Sequence, residues 1–347
     1  ANIAKNNLDV FREIKSNKIF LYILIVVIIT TIFCELWYVS LLYSMLMLLG
    51  LYLSAYTSTY IKESELENTL KTIYVVSLCV FILGLLQYIN PSFTIPLKWV
   101  DYENYRITKR IYSTFFNPNI FGYYINLIFL ISCVEIENNG KNKTLAKAAI
   151  ILGLICLILT FSRTSWIALT ITLAVVGLYY NKKYLKYAVI TALVILTFDK
   201  VLGIGRTNPL KAASDSGFLY RIEIWKASLK IFKDYPITGI GFGTLFDYIS
   251  SYSEFISAFV EHSHNMYIQI AVEAGLLGIV LAIYIFTKIL LFSKKRLRQN
   301  KNDKIAIITG MFVIMTLIHG MADSVILTHQ MILIAAFYLG IITKTSP

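Results

Sequence analysis

The residues best suited to chemistry lie between Val260 and Val280. His262 and His264 occupy a polar segment that runs directly into a long apolar stretch. Gln269 and Glu273 follow four residues apart, so they share one face of a helix. Imidazole exchanges protons near neutral pH. Ionisable groups in a membrane span are costly and point to function. The plainer reading of His264-Asn265 is a helix start, since Ser263 and Asn265 are good N-caps. Two histidines ahead of Gln269 and Glu273 favour a functional role for His264, while for His262 function and plain hydrogen bonding stay equally open. Glu273 is expected to pair with a buried cation and brace the helix. Gly275 and Gly278 are expected to let helices pack closely.

Two arginines invite an anionic partner. Arg163 stands in Ser162-Arg163-Thr164-Ser165, a tight turn between apolar runs with little other charge. It could snorkel to the interface, but its planar fork suits phosphate. Arg221 opens the amphipathic stretch Arg221-Ile222-Glu223-Ile224-Trp225-Lys226. That stretch reads either as an interfacial helix or as a cation offered to a lipid headgroup. The glycine-rich segment Asp234 to Gly243 looks like a phosphate cradle, yet it lacks the preceding strand and the lysine. A turn is the better reading. Asp101-Tyr102-Glu103 resembles an acidic metal-binding pair of nucleotide-sugar transferases, but it falls in an outer loop and is discounted. No metal-ligand spacing appears. Cys34, Cys79, Cys133 and Cys156 fall within or beside apolar runs and read as unpaired core thiols.

The elements that must hold these residues are membrane helices. The chain has 347 residues, is 57% hydrophobic and only 15% charged, with a mean hydropathy of +0.67. Apolar runs of about 20 residues recur, the length that spans a bilayer. We expect an all-α polytopic helix bundle in a single membrane domain, 1–347, with about ten transmembrane helices. These run Ile19–Phe33, Leu36–Tyr56, Ile73–Ile89, Ile120–Val134, Leu145–Phe161, Trp166–Tyr180, Tyr187–Leu202, Asn265–Phe292, Ile305–Ala322 and Ile326–Ile342. A large extracytoplasmic loop, 203–264, separates the seventh and eighth spans. Within it Leu219, Ile222, Trp225, Leu229 and Phe232 recur at helical spacing, which predicts a surface helix over Phe218 to Phe232.

The net charge of +12 reports topology rather than nucleic-acid binding. With both termini in the cytoplasm, nearly every lysine and arginine in a short loop lies inside, Arg163 excepted. All four histidines (His262, His264, His319, His329) then fall at the outer face. So do Asn117, Asn119, Ser162, Arg163, Arg206, Arg221 and Asp323. Polar features converging on one membrane surface predict a site open to the outside and fed partly from lipid, with His264, Arg163 and Arg221 lining one cavity.

Several motifs, taken in order, carry a resemblance. They are Thr114-Phe115-Phe116-Asn117-Pro118-Asn119, Thr160-Phe161-Ser162-Arg163-Thr164, Arg221 with Trp225, and Tyr235-Pro236-Ile237-Thr238-Gly239-Ile240-Gly241. His262-Ser263-His264-Asn265 follows, with Glu273-Ala274-Gly275-Leu276-Leu277-Gly278. Together they resemble the O-antigen ligase and O-antigen polymerase superfamily of bacterial envelope glycosyltransferases. The resemblance covers Thr114 to Val280. The family usually has one more pair of spans, so an N-terminal pair is expected to be missing from a chain that begins Ala-Asn-Ile-Ala.

The resemblance implies a metal-independent, inverting glycosyltransferase of the GT-C type in the bacterial inner membrane, with its site at the outer face. Its donor is a glycan on undecaprenyl pyrophosphate and its acceptor a glycan or lipid-linked hydroxyl. No cofactor is implied. A repeat-unit flippase and a chain-length regulator are the partners expected for a polymerase. His264 becomes the general base, and Arg163 and Arg221 hold the pyrophosphate as charge builds on it. Asn117, Asn119, Ser162, Trp225, His262 and Asn265 become substrate-binding residues. Gln269, Glu273, Gly275 and Gly278 support them.

Ligase and polymerase share these residues, so the two stay open, with polymerase of a surface polysaccharide slightly favoured. A transporter of a lipid-linked or anionic polysaccharide is the competing class. It would show inverted repeats or polar residues at the midplane. The sequence has neither, and its polar residues gather at one face. A non-catalytic receptor or assembly protein would leave His264 and the arginines without a purpose.

Overall fold

The computed structural model describes residues 2–90, 92, 107, 109–201, 203, 205–208, 216–256, 260 and 262–344. Asp101 and Glu103 lie outside them. The protein is all-helical, with no strand among the described residues. Its helices are α1 (Asn2–Ser16), α2 (Lys18–Ile32), α3 (Trp37–Tyr60), α4 (Leu66–Ile89) and α5 (Pro118–Glu137). Then come α6 (Lys143–Leu159), α7 (Arg163–Tyr179), α8 (Lys183–Val201), α9 (Ser216–Asp234) and the short α10 (Leu245–Ile249). The chain closes with α11 (Met266–Gln299), α12 (Lys304–Gly320) and α13 (His329–Lys344).

Every expected span falls on a helix. Four helices, α3, α4, α5 and α11, are long and apolar enough to cross a bilayer by length and composition. They become five if α1 and α2, bent by 91°, form one broken span. Helices α7, α12 and α13 are apolar but shorter. The chain divides into two compact units.

The first unit comprises Ala1–Lys62, Leu219–Phe292 and Gly320–Pro347. Helix α3 presents a buried row of small side chains, Ser40, Ser44, Ser54 and Ala55 among them. Gly50 packs on Ile332 and Ala336 of α13, and a Cβ on Gly340 would come within 2.4 Å of the Ser54 carbonyl. Small residues let these two backbones approach. Helix α9 packs Ile224, Ala227 and Ile231 against Leu245 and Ile249 of α10 and Val272 of α11. Of the residues whose periodicity predicted this helix, Trp225 and Phe232 pack against the same cluster. Leu219 and Leu229 stay exposed.

The second unit comprises Glu63–Phe218 and Ser293–His319. Helix α5 is its axis: 89% of its most apolar window is buried. Gly122 sits directly on Ser165 of α7, and Tyr123 shares a 2.6 Å hydrogen bond with Thr316 of α12. Helices α7 and α8 form a hairpin across a short turn. Lys304 lies 3.0 Å from both Glu67 and Glu135, which ties α12 to α4 and α5.

Candidate functional site in the first unit

The turn that carries both histidines is held from several sides. Trp225 of α9 donates its indole N–H to the Ser263 carbonyl at 2.8 Å. The Ser263 N–H donates to Gln269 Oε1 at 2.6 Å. Asn265 caps α11, its Oδ1 accepting from the N–H groups of Tyr267 and Ile268 at 3.0 and 3.1 Å. The Asn265 amide also reaches the Met321 carbonyl at 3.0 Å. The N-cap reading thus fits Asn265, and His264 is left for another task. His264 itself sits at φ 53°, a left-handed conformation that costs about 1–3 kcal/mol and recurs at functional positions.

Asp323 completes the cluster. It is almost fully buried and follows α12. Its Oδ1 lies 3.4 Å from His262 Nε2 and 3.5 Å from His264 Nδ1. The two imidazoles meet edge to face with centroids 4.3 Å apart. Arg221 donates from Nη1 to the Ala322 carbonyl at 3.0 Å, which brings a guanidinium to the same segment. Burial lowers the pKa of His264 below its ordinary value, against the pull of Asp323 in the other direction. Burial would raise the Asp323 carboxyl, but the two histidines hold it well below the usual carboxylate range. The arrangement sets a part-buried imidazole, with its pKa lowered, beside a buried carboxylate.

The same three residues could hold a metal. The donor atoms of His262, His264 and Asp323 lie within 4.8 Å of one another. Two imidazoles and one carboxylate with an open position are a ligand set used by catalytic zinc. Sequence spacing found no such set, because Asp323 arrives from a distant segment.

The helix beneath the site is broken. At Gly275, φ is 59° and ψ −154°, so α11 is not the uninterrupted span expected. The Val272 and Glu273 carbonyls accept instead from the N–H groups of Ile240 and Gly241 at 2.9 and 3.0 Å. Beyond the break, the Leu276 and Leu277 N–H groups reach the carbonyls of Pro236 and Ile237 at 2.8 and 3.3 Å. The glycine-rich loop is therefore a splint for the broken helix. The N–H groups of Ile240, Gly241 and Gly243 are engaged with α11, as a turn beside that helix requires. Gly275 does not serve helix packing: a Cβ there would meet the Ile237 carbonyl oxygen at 2.3 Å. Glu273 is also placed otherwise than expected. Its carboxylate accepts from the Gly243 N–H at 2.8 Å, so it anchors the splint through a backbone donor. Gln269 and Glu273 line a small cavity of about 30 Å³ together with His262 and Gly243.

Gly278 follows the break on α11 in the first unit, and the remaining expected site residues belong to the second. Asn117 caps α5, accepting from the Asn119 N–H at 2.8 Å. Asn119 accepts from Arg110 at 3.0 Å, and Arg110 also donates to the Thr160 carbonyl at 2.7 Å. Ser162 is buried, 3.1 Å from the Ser165 hydroxyl, which lies 3.2 Å from His319 Nε2. These polar groups knit helix ends together. Arg163 opens α7 and lines a separate groove of that unit.

Residues 148–283 match the family model described as O-antigen ligase. The matched stretch contains Arg163, Arg221, His262, His264 and the broken helix at Gly275. No curated protein matches the chain. Within this all-helical protein with membrane-length helices, residues 148–283 are thus similar to the O-antigen ligase family.

Proposed function

We propose that the protein is a membrane glycosyltransferase that moves a glycan from undecaprenyl pyrophosphate onto an acceptor hydroxyl. The observation that carries this reading is His264, beside Arg221 in the matched segment, backed by Asp323 from beyond that segment. His264 Nε2 takes the hydroxyl proton as the acceptor oxygen attacks the anomeric carbon. The new C–O bond forms as the bond to pyrophosphate breaks, and the configuration inverts. Asp323 stabilises the imidazolium that results. Arg221 and Arg163 neutralise charge on the leaving pyrophosphate. Asn117, Asn119, Ser162, His262, Asn265 and Trp225 border the substrates, while Gln269, Glu273, Gly275 and Gly278 support them.

In this reading the protein is one GT-C-like membrane domain of about ten spans. Both termini are cytoplasmic, and the 203–264 segment lies at the outer face of a bacterial inner membrane. The exposed side of α9, with Leu219 and Leu229, rests in the lipid interface. A flippase supplies the donor, and a chain-length regulator accompanies a polymerase. Catalysis is metal-independent. The competing version places a divalent ion on His262, His264 and Asp323, where it would polarise the acceptor hydroxyl.

The test is direct. Purified protein in nanodiscs, given a labelled lipid-linked glycan and an acceptor glycan, should yield transferred glycan and free polyprenyl pyrophosphate in equal amounts. Absence of both over a protein-free control would contradict the reading.

A further inference from the structure

A polar cavity of about 390 Å³ opens at one end of the second unit. Three helix-to-helix turns wall it. Glu137, Asn138 and Asn139 come from the end of α5 and the turn after it, and Tyr180, Asn181 and Lys183 from the passage between α7 and α8. Asn302 comes from the turn between α11 and α12. The Tyr180 hydroxyl donates to the Lys301 carbonyl and so joins two of the turns. The cavity shares no lining residue with the His264 cluster or with the groove at Arg163.

The bonds these side chains already make sort them into donors and acceptors. Asn139 accepts from Lys143 Nζ at 2.8 Å, and Asn181 from the Lys183 backbone N–H at 3.0 Å, both through Oδ1. Their amide N–H groups thus remain as donors. Asn138 donates from Nδ2 to the Val134 carbonyl at 3.0 Å, which keeps its Oδ1 as an acceptor. Glu137 accepts from Lys186 and Tyr187, both at 2.7 Å, and lies 3.4 Å from Lys183. The Lys183 side chain is 59% exposed and makes the longer of these contacts, so its ammonium can turn to a second anion. Lys141, Lys143, Lys182 and Lys301 add positive charge in the same turns. An ammonium and amide donors beside separate acceptors fit a phosphate that also carries hydroxyls. Bare phosphate would not use Asn138 Oδ1 or Glu137. The flanks of the cavity are greasy. Leu178 and Tyr179 end α7 at 68% and 87% exposure, and Val189 and Ile190 on α8 are 55% and 52% exposed. Such surface suits acyl chains, and basic pockets between membrane-helix ends take lipid headgroups.

We propose that this cavity seats the headgroup of an anionic phospholipid with the glycerophosphate chemistry of phosphatidylglycerol. The phosphodiester lies on Lys183 and the amides of Asn139 and Asn181. The glycerol hydroxyls donate to Asn138 Oδ1 and Glu137, and the acyl chains run along the exposed sides of α7 and α8. Under the proposed topology this is the cytoplasmic leaflet. The site depends on the protein's membrane setting and not on the chemistry of glycan transfer.

Native mass spectrometry of the full chain in neutral maltoside micelles tests it, with three probes: phosphatidylglycerol, phosphatidylethanolamine and soluble glycerol phosphate. Phosphatidylglycerol should bind more tightly than either of the others. Lys183→Ala removes the charged donor and leaves Glu137 on Lys186 and Tyr187. It should weaken phosphatidylglycerol roughly tenfold and leave phosphatidylethanolamine unchanged. Asn139 has φ 49°, a conformation that glycine adopts without strain. Asn139→Gly therefore removes a donor without threatening the fold, and should weaken phosphatidylglycerol about fivefold. Thermal melts confirm that both variants are folded. Parent-like affinity for phosphatidylglycerol in both would overturn the proposal, as would phosphatidylethanolamine binding on equal terms. Glycerol phosphate binding as tightly as the lipid would also overturn it and mark a soluble anion as the occupant. The readout is lipid retention, so lipid discrimination in a protein that transfers no glycan would keep the cavity and sink the transferase. Transfer without discrimination would do the reverse.

Discussion

Nδ1 of His264 and Oδ1 of Asp323 stand 3.5 Å apart, although α11 and α12 separate them in the chain. The carboxylate is buried and shared with His262. Such an arrangement orients an imidazole and stabilises its protonated form. Asp323→Asn keeps the shape and removes the charge. Turnover should fall roughly 10²-fold or more, with donor affinity nearly unchanged. Steady-state kinetics with a binding titration checks it. Unchanged turnover would show that Asp323 only packs.

The acid limb of activity follows from the same pair. Burial lowers the pKa of His264 below its ordinary value of 6.5, so the imidazole is neutral at pH 7 and base catalysis is available. As pH falls through the lowered value, the base is protonated and kcat/KM declines. The midpoint of that limb should lie below 6.5. Stability has the same sign. The unfolded chain binds His264's proton first as pH falls, so this contribution is present above the unfolded value and lost below it. Asp323 adds stability that persists until pH drops through its depressed value, well under the usual carboxylate range. A limb centred above the ordinary histidine value would exclude a buried neutral His264 as the group observed.

The splint predicts a contrast between glycines. A Cβ on Gly239, at φ 68°, would lie 2.5 Å from backbone atoms of Val272 and Glu273. Gly203 has φ 60° with nothing within 4 Å of its Cβ position. Gly203→Ala should cost about 1–2 kcal/mol, the left-handed penalty alone. Gly239→Ala should cost clearly more, because backbone must move. Glu273→Leu strands the Gly243 N–H and should cost roughly 1–3 kcal/mol, while Glu273→Gln keeps an acceptor and should cost less. Thermal melting in detergent ranks the four, and equal costs for the two alanines would refute the splint.

The helices were legible in the sequence, because an apolar run about 20 residues long has few other fates. The break at Gly275 was not. Both Gly275 and the Gly239-Ile240-Gly241 loop were visible, but only the fold shows that one completes the backbone bonding of the other. The turn preferred over a phosphate cradle for the glycine-rich loop was legible locally, but its backbone pairing with α11 was not. The histidines and Arg221 were legible by type and position. Asp323 was noted at the expected outer face but given no role, since nothing near it in sequence marks it as their partner. The helix over Phe218 to Phe232 was legible from its periodicity, but the protein-facing row of Ile224, Ala227 and Ile231 was not singled out, since Leu219 and Leu229 recur as regularly.

Chelation separates the two versions of the site. Arginines stabilise a leaving pyrophosphate without a metal, so EDTA should leave turnover unchanged. The His262, His264 and Asp323 cluster is where a divalent ion would act. Loss of turnover in EDTA, restored by zinc and abolished again in His262→Ala, would replace the metal-free account.

The central claim is that His264 takes the acceptor proton, and its most direct measurement is turnover against donor affinity in His264→Ala, reconstituted in nanodiscs with its melting point monitored. General-base help is worth about 10²–10⁴-fold in rate, and the donor's pyrophosphate is assigned to the arginines. Turnover should therefore fall by that factor while the lipid-linked donor binds as in the parent. Arg221→Ala, by contrast, should lose affinity and turnover together. A folded His264→Ala protein that turns over at nearly the parent rate would contradict the assignment of His264 as the base.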